Sequence, residues 1–336
     1  MAKIDIYSLI LGSIFLDFLI GDPTFLIHPV QIIGFWIEKF SKTSVKYLKG
    51  KNFQLIGGLF LVITTLTLSY CIGKYLEIKF SQSGGNFFWG IIILIGISSC
   101  LATNSLISSV KEISNLIEDT SFDDKPKKTV INKVQRLVSR DVSCCSNENL
   151  LRSATESLTE NSVDGIFGPL FWILIGAFCL NYSIYLPGPL SLGFSYKALS
   201  TLDSMVGYKH KPIKYLGFFS AKFEDYATYL PCRFVVMTLP LVSSKIFNYL
   251  NLITKTFSEG RHYESPNSGI SEAIFAYVVN IQLGGKNKYK GKMIMKPILN
   301  HKGNKCNKNS IIQICNLIIR LEILWIIFFS LIFLIN

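Results

Sequence analysis

A chain of 336 residues that is 49% hydrophobic and only 17% charged is too apolar for an ordinary soluble domain. Its net charge of +12 comes from lysines gathered in short stretches beside apolar runs, which is the pattern of cytoplasmic loops and not of a nucleic-acid-binding face. The eight cysteines form no C-x-x-C pair and several sit in apolar runs, so neither a zinc site nor a disulfide framework is indicated.

Taken in order, the first apolar stretch, residues 6–20, is interrupted by Asp17 and is short for a span, which needs about twenty residues. Only Lys3 precedes it and no small-residue cleavage site follows, so an uncleaved membrane or re-entrant helix is expected rather than a signal peptide. Gly21-Asp22-Pro23, then His28-Pro29-Val30 and Gly34, make a turn-rich corner that sets a carboxylate and an imidazole at a membrane boundary. Lys39, Lys42, Lys46, Lys49 and Lys51 form a basic loop assigned to the cytoplasm. Residues 53–72 and 87–110 read as spans joined by a weakly charged connector over 74–86. The segment 111–149 carries both signs of charge, has an exposed loop at 123–128, and contains the pair Arg140-Asp141.

The polar centre of the chain is residues 151–172, LRSATESLTENSVDGIFGPLFW. Read as a helix, Arg152, Glu156, Glu160 and Asp164 recur every four residues and share one face, with Asn161 close by. Like charges at that spacing repel, so the stripe needs basic side chains, a divalent cation or solvent to neutralise it. Gly165, Gly168 and Pro169 are expected to weaken or break the helix before an apolar segment that runs to residue 186 and ends at Pro187-Gly188-Pro189.

Residues 196–208, YKALSTLDSMVGY, hold Asp203 in a short semi-apolar helix, followed by Lys209, His210, Lys211 and Lys214. FFSAKFEDYATYLPCR, residues 218–233, then supplies Lys222, Asp225 and Arg233, and residues 234–252 read as a further span. A lysine run from 286 to 308 again marks cytoplasm, and within this loop residues 262–285 read HYESPNSGISEAIFAYVVNIQLGG, with Asn267 in S-P-N-x-G. The last span, residues 311–335, contains Arg320 and Glu322; a charge at mid-membrane costs about 2.5–3.5 kcal/mol, so structural pairing inside the bundle is expected. The fold class is therefore all-α, a polytopic membrane helical bundle of about five to six membrane-associated helices forming one domain over residues 1–336.

These strings resemble the CobD/CbiB family of cobalamin biosynthesis proteins in four separated motifs and in the same order. E-S-L-x-E-N-x-V-D-G-x-x-x-P-L-F-W is similar to its central signature, and D-x-x-x-G-D-P-x-x-x-x-H-P-V-x-x-x-G from Asp17 to Gly34 to its amino-terminal motif. L-D-x-M-V-G-Y with the basic cluster and the block that follows is similar to the third, and S-P-N-x-G, E-A and L-G-G to the last. The chain departs from the family with Ser139 before Arg140 in place of glycine, with Lys222 for arginine, Glu224 for aspartate and Thr228 for asparagine, and with Tyr277-Val278-Val279 in a glycine-rich stretch.

The resemblance implies an adenosylcobinamide-phosphate synthase in the cell membrane, an ATP-dependent ligase joining adenosylcobyric acid to (R)-1-aminopropan-2-ol phosphate. ATP converts a carboxylate, a poor electrophile, to an acyl phosphate, and phosphoryl transfer of this kind calls for Mg²⁺ and cationic groups. No P-loop is present: the string from Gly285 to Met293 has the wrong glycine spacing. Glu156, Glu160, Asp164 and Asp225 are the expected catalytic carboxylates, with His28 a general base for the amine and Asp22, Glu160 and Asp164 the metal ligands. Arg140, Arg152, Asn161, Asp203, Lys209, Lys222, Arg233 and Asn267 are the expected substrate and phosphate contacts. Membrane lipid and other cobalamin-assembly enzymes are the expected partners, and no nucleic acid. A non-catalytic corrinoid-binding subunit and a transporter remain as alternatives, although a transporter wants its carboxylates inside the spans and an inverted repeat. One conflict stands: if residues 165–186 and 234–252 both cross the membrane, residues 203–233 lie outside while the other motifs lie inside, and Gly168-Pro169 marks the first segment as the one to re-enter.

Overall fold

The computed structural model describes residues 5–21, 29–118, 126–207, 213–289 and 291–335. Asp22, His28 and Lys209 fall outside the described residues. The chain forms two compact units, each assembled from separate stretches: residues 1–104 with 164–228, and residues 105–163 with 229–334.

In the first unit α1 (Ile6–Ile20) starts where the Asp5 carboxylate accepts the Ser8 backbone N–H at 2.8 Å. α2 (Pro29–Tyr47) and α3 (Lys51–Gln82) follow, then α4 (Phe87–Ser98), which begins at an Asn86 cap. α1 packs on α4, where Ser13 donates to the Leu94 carbonyl at 2.9 Å. Buried Asp17 reaches from α1 to accept the Thr103 N–H at 2.9 Å, capping α5 (Thr103–Glu118) at its first residue. α3 is longer than its sequence suggests: the expected connector after residue 72 is helical to Gln82, and the charges of Lys74 and Glu77 are held inside it. Glu77 is buried and accepts the backbone N–H groups of Leu190 and Ser191 at 2.7 and 2.9 Å, capping α9 (Pro189–Val206). Lys74 in turn donates to the carbonyls of Ile184 and Leu186.

α8 (Gly168–Tyr182) and α9 form an antiparallel hairpin. Gly176 lies against the backbone of Gly188 and Pro189, and a Cβ on Gly168 would stand 2.1 Å from the Tyr196 hydroxyl. The C-terminal end of α9, with Asp203, thus returns to the end of the hairpin where α8 begins. Gly168-Pro169 does not break the chain; it sits after a π turn (Val163–Phe167), and proline in the first turn of a helix removes no hydrogen bond. The return lies instead at residues 183–188. α9 packs against α3, α8, α2 and α4, so it faces helices on most sides and can carry Ser191, Tyr196 and Thr201 as buried groups.

The second unit holds α6 (Lys128–Leu137), α7 (Asn147–Ser162), α11 (Tyr249–Gly260), α12 (Ser268–Val279) and α13 (Lys308–Ile335). An antiparallel hairpin of β1 (Leu283–Tyr289) and β2 (Lys292–Leu299) is its addition to the expected helices, in register Gly285 to Lys296 and Tyr289 to Lys292. A helix α10 (Phe218–Thr238) takes in the start of the segment expected to span at 234–252, and that segment is not one continuous helix. The chain leaves α10 through 3-10 turns at Leu239–Val242 and Ile246–Asn248 before α11, and Pro240 lacks the N–H that a continuous helix needs. In α13 Arg320 is exposed and Glu322 buried, so the two charges do not pair; residues two apart on a helix face different sides.

Among the described residues four helices are long and apolar enough to cross a membrane: Lys51–Gln82, Phe87–Ile117, Asn147–Tyr182 and Lys308–Ile332. Phe53, Ile56, Phe60, Ile63 and Leu68 stand exposed along α3, as lipid-facing residues do. The protein is a polytopic helical membrane protein.

Candidate active site

α7 begins at Ser146, whose hydroxyl accepts the Asn149 N–H, and its four-residue period holds Arg152, Glu156 and Glu160 on one face as the sequence predicts. That face is covered by the β hairpin. Glu156 is fully buried and its carboxylate is satisfied on both oxygens. One accepts the Gly284 N–H at 2.8 Å and lies 3.5 Å from Arg152; the other is held by Arg140. Arg140 also donates to Asn287 Oδ1 at 2.9 Å. Arg152 donates to the carbonyls of Gly284 and Lys286 and to Asn287 Oδ1 at 3.2 Å. The Glu156 charge is thus neutralised by the chain's own guanidinium groups. Burial by itself would lower the Arg140 pKa, but the Glu156 charge and hydrogen bond, with the nearby Tyr289 and Glu272, together outweigh it and hold the group above its ordinary value.

The bulge at Leu283–Gly285 makes this possible: Gly284 and Gly285 have φ of +84° and +91°, and a Cβ on Gly284 would stand 2.0 Å from the Pro297 carbonyl. Between the start of α7 and the hairpin opens a cleft of about 520 Å³. Arg140, Asp141, Glu148, Arg152, Lys286 and Lys288 line it. Lys288 lies 3.5 Å from Asp141, and the Asp141 N–H donates to the Lys288 carbonyl at 2.8 Å, fastening the loop to the hairpin. Two arginines and two lysines against two carboxylates give the cleft a surplus of cationic donors, suited to phosphate or carboxylate.

One turn beyond Glu156, half-buried Glu160 makes no hydrogen bond among the described residues. Its charge acts on a second buried group, Glu272 of α12, which lies 3.5 Å from Lys296 of β2 and accepts from the Tyr263 hydroxyl at 3.3 Å. Burial pushes the Glu272 carboxyl up to about 8, with Lys296 opposing and Glu156 and Glu160 adding to the rise. Burial, reinforced by Glu272, likewise raises Tyr263.

The remaining expected site residues are distributed as follows. In the second unit Arg233 donates to Asn267 Oδ1 and, at 2.8 Å, to the Pro266 carbonyl, with its guanidinium 3.7 Å above the Tyr229 ring. Asn161 donates to Ser157 Oγ at 2.9 Å. In the first unit are Asp164, Asp203, Lys222 and Asp225, with Lys222 exposed and the three carboxylates half-buried. There Thr228, where the family resemblance expects asparagine, is buried and joins Tyr196 at 2.8 Å to Glu224 at 2.5 Å. Among the described residues no three His, Cys, Asp or Glu side chains converge on one point. Sequence reasoning passed over Asn287, Glu272, Lys296 and Tyr263. Glu272 stood in the quoted E-A string, whereas Lys296 was hidden in a run read only as a marker of the cytoplasm.

Fold and cleft define the class: a polytopic membrane protein whose polar chemistry is built on arginines clamped between a helix and a glycine-bulged hairpin. The chain belongs to the CobD/CbiB family, whose model, described as CobD/Cbib protein, matches residues 10–318. It is 39% identical over 290 residues to the cobalamin biosynthesis protein CobD of Synechocystis, covering 86% of this chain and 80% of that one. It is 31% identical over 323 residues to the CobD of Leptospira interrogans, covering 96% of each. It is 30% identical over 283 residues to the cobalamin biosynthesis protein CbiB of Salmonella typhi, covering 84% of this chain and 83% of that one. No solved structure matches the chain.

Proposed function

We propose that this chain is a biosynthetic enzyme of the cobalamin route, an adenosylcobinamide-phosphate synthase that crosses the cell membrane several times. It joins the carboxylate of adenosylcobyric acid to the amine of (R)-1-aminopropan-2-ol phosphate with ATP as driving reactant. The observation that carries the reading is the cleft: Arg140, Arg152 and Gly284-Gly285, from three separated stretches of the chain, meet in one cation-lined space of about 520 Å³. The cobalamin biosynthesis named for the relatives supports a corrinoid as the acid.

In this account the substrate carboxylate attacks the γ-phosphorus of ATP, releasing ADP and forming an acyl phosphate. The amine then attacks the acyl carbon, expels phosphate and loses a proton. Lys286 and Lys288 hold phosphoryl oxygens, while Arg140 and Arg152 fix the hairpin and present charge from behind it. Asp141 and Glu148 on the cleft wall are hard oxygen donors that fit Mg²⁺, which usually takes only one or two protein carboxylates alongside substrate phosphates. Held there, the cation would supply charge neutralisation during phosphoryl transfer. Association with other cobalamin-assembly enzymes belongs to the same proposal.

Lys286→Gln with Lys288→Gln tests the cleft. The expected result is a KM for ATP or aminopropanol phosphate raised by tenfold or more, with the fold intact by thermal unfolding. Unchanged KM for both substrates contradicts the assignment.

A further inference from the structure

The exit of α10 is held against a membrane-crossing helix: Trp325 of α13 donates to Thr238 Oγ1 at 2.9 Å, and the rings of Phe234 and Trp325 lie 4.7 Å apart. From there the backbone passes through its 3-10 turns with Leu241, Ile246, Phe247 and Leu250 exposed, Phe247 entirely so and Leu250 at 75%. In water such a row of bare apolar side chains beside an irregular backbone is costly. At the membrane–water interface, where backbone groups still meet water and apolar side chains dip to the acyl boundary, it is what an interfacial segment presents.

Directly beside this row opens a second cleft, of about 460 Å³, between α11, the end of α12 and the turn at 300–302. Lys245, Lys255, His301 and Lys302 line it against one carboxylate, Glu259. That carboxylate is already engaged, accepting the Asn300 N–H at 2.7 Å. Lys245 is positioned by its bond to the Tyr277 carbonyl at 2.8 Å, and Lys255 lies 5.8 Å over the Tyr277 ring. Asn280 and Asn300, both at positive φ, fix the turns that close the cleft. Lys302 stands six positions before Lys308, the start of α13, so by chain length, at about 3.5 Å per step, the basic wall lies within about 21 Å of the point where that helix begins.

We propose that this cleft binds the phosphate headgroup of an anionic phospholipid, with its acyl chains lying along Phe247 and Leu250. Lysines at a membrane boundary attract anionic lipid, and three around one pocket give selectivity over a zwitterionic headgroup. The site is independent of the ligase chemistry: none of its lining residues belongs to the arginine cleft.

The test is native mass spectrometry of the detergent-purified full chain with phosphatidylglycerol or phosphatidylcholine added at equal concentration. Phosphatidylglycerol is expected to be retained at least fivefold more than phosphatidylcholine. Lys255→Glu with Lys302→Glu should remove the preference, and Phe247→Ser should lower retention. Both lysines and Phe247 are exposed, so these variants fold, which thermal unfolding checks. Equal retention of the two lipids, or an unaltered preference in the lysine variant, overturns the proposal. So does displacement of the lipid by millimolar inorganic phosphate with no effect of Phe247→Ser, an outcome that assigns the cleft to a free phosphate compound.

Discussion

Arg140 and Glu156, sixteen residues apart in the chain, form an ion pair whose side chains are 6% and 0% exposed, and the hairpin closes over it through Gly284 and Asn287. The pair stands between the loop ahead of α7 and the glycine bulge, so the shape of the cleft depends on it.

Removing one partner leaves the other charge buried and unpaired. Glu156→Ala is expected to destabilise the protein by about 3–5 kcal/mol, and Arg140→Ala by a similar amount. The double variant Arg140→Met with Glu156→Met should lose less than the sum of the two single changes. Thermal unfolding in detergent measures this; additive losses contradict a coupled pair.

Glu272 sets a pH dependence. Its carboxyl is raised to about 8 in the folded protein against an ordinary value near 4.5, so the folded state binds the proton more tightly than the unfolded one. The stability it contributes is full below about pH 4.5 and is lost as pH rises through about 8. Wild-type melting temperature should therefore fall between pH 5 and pH 8 relative to Glu272→Gln, which lacks the titration. Parallel curves for the two proteins over that range would show that Glu272 is ionised throughout.

Glu77 is predicted to act as the cap of α9 from another helix. Glu77→Ala should cost about 1–2 kcal/mol, with Glu77→Gln losing less because an amide oxygen still accepts the Leu190 and Ser191 N–H groups. Equal melting temperatures for wild type and Glu77→Ala would remove the cap from the account.

Gly284 and Gly291 both have positive φ, but only Gly284 is pressed against backbone. Gly291→Ala, in open space, is expected to cost about 1–2 kcal/mol for the backbone conformation alone. Gly284→Ala has in addition to displace the Pro297 carbonyl, and should lose ligase activity along with stability. Similar effects at the two positions would argue against the bulge as the shaper of the cleft.

Much of this was legible in the sequence because its signals were local. The spans at α3, α4 and α13 followed from hydropathy, and the i, i+4 stripe of α7 from spacing. What was missed depended on partners distant in the chain. α9 reads as semi-apolar because it is surrounded by helices and not by lipid, and its cap is supplied from residue 77. The apolar run at 234–252 looked like a span because hydropathy does not register the break at Pro240. Lys296 was indistinguishable from its exposed neighbours until the hairpin set it beside Glu272. The neutraliser of the Glu156 charge was left open among basic groups, a cation and solvent, and the structure supplies Arg140 and Arg152.

The central claim is tested most directly by a ligase assay on detergent-purified protein with adenosylcobyric acid, aminopropanol phosphate, ATP and Mg²⁺, read by mass spectrometry. The account predicts an ATP-dependent product with the mass of acid plus amine less one water, formed with a KM for ATP or aminopropanol phosphate raised tenfold or more in the Lys286→Gln with Lys288→Gln protein, which still unfolds like the wild type. No product from folded protein that still binds the corrinoid would contradict it, and would make the chain a binding subunit.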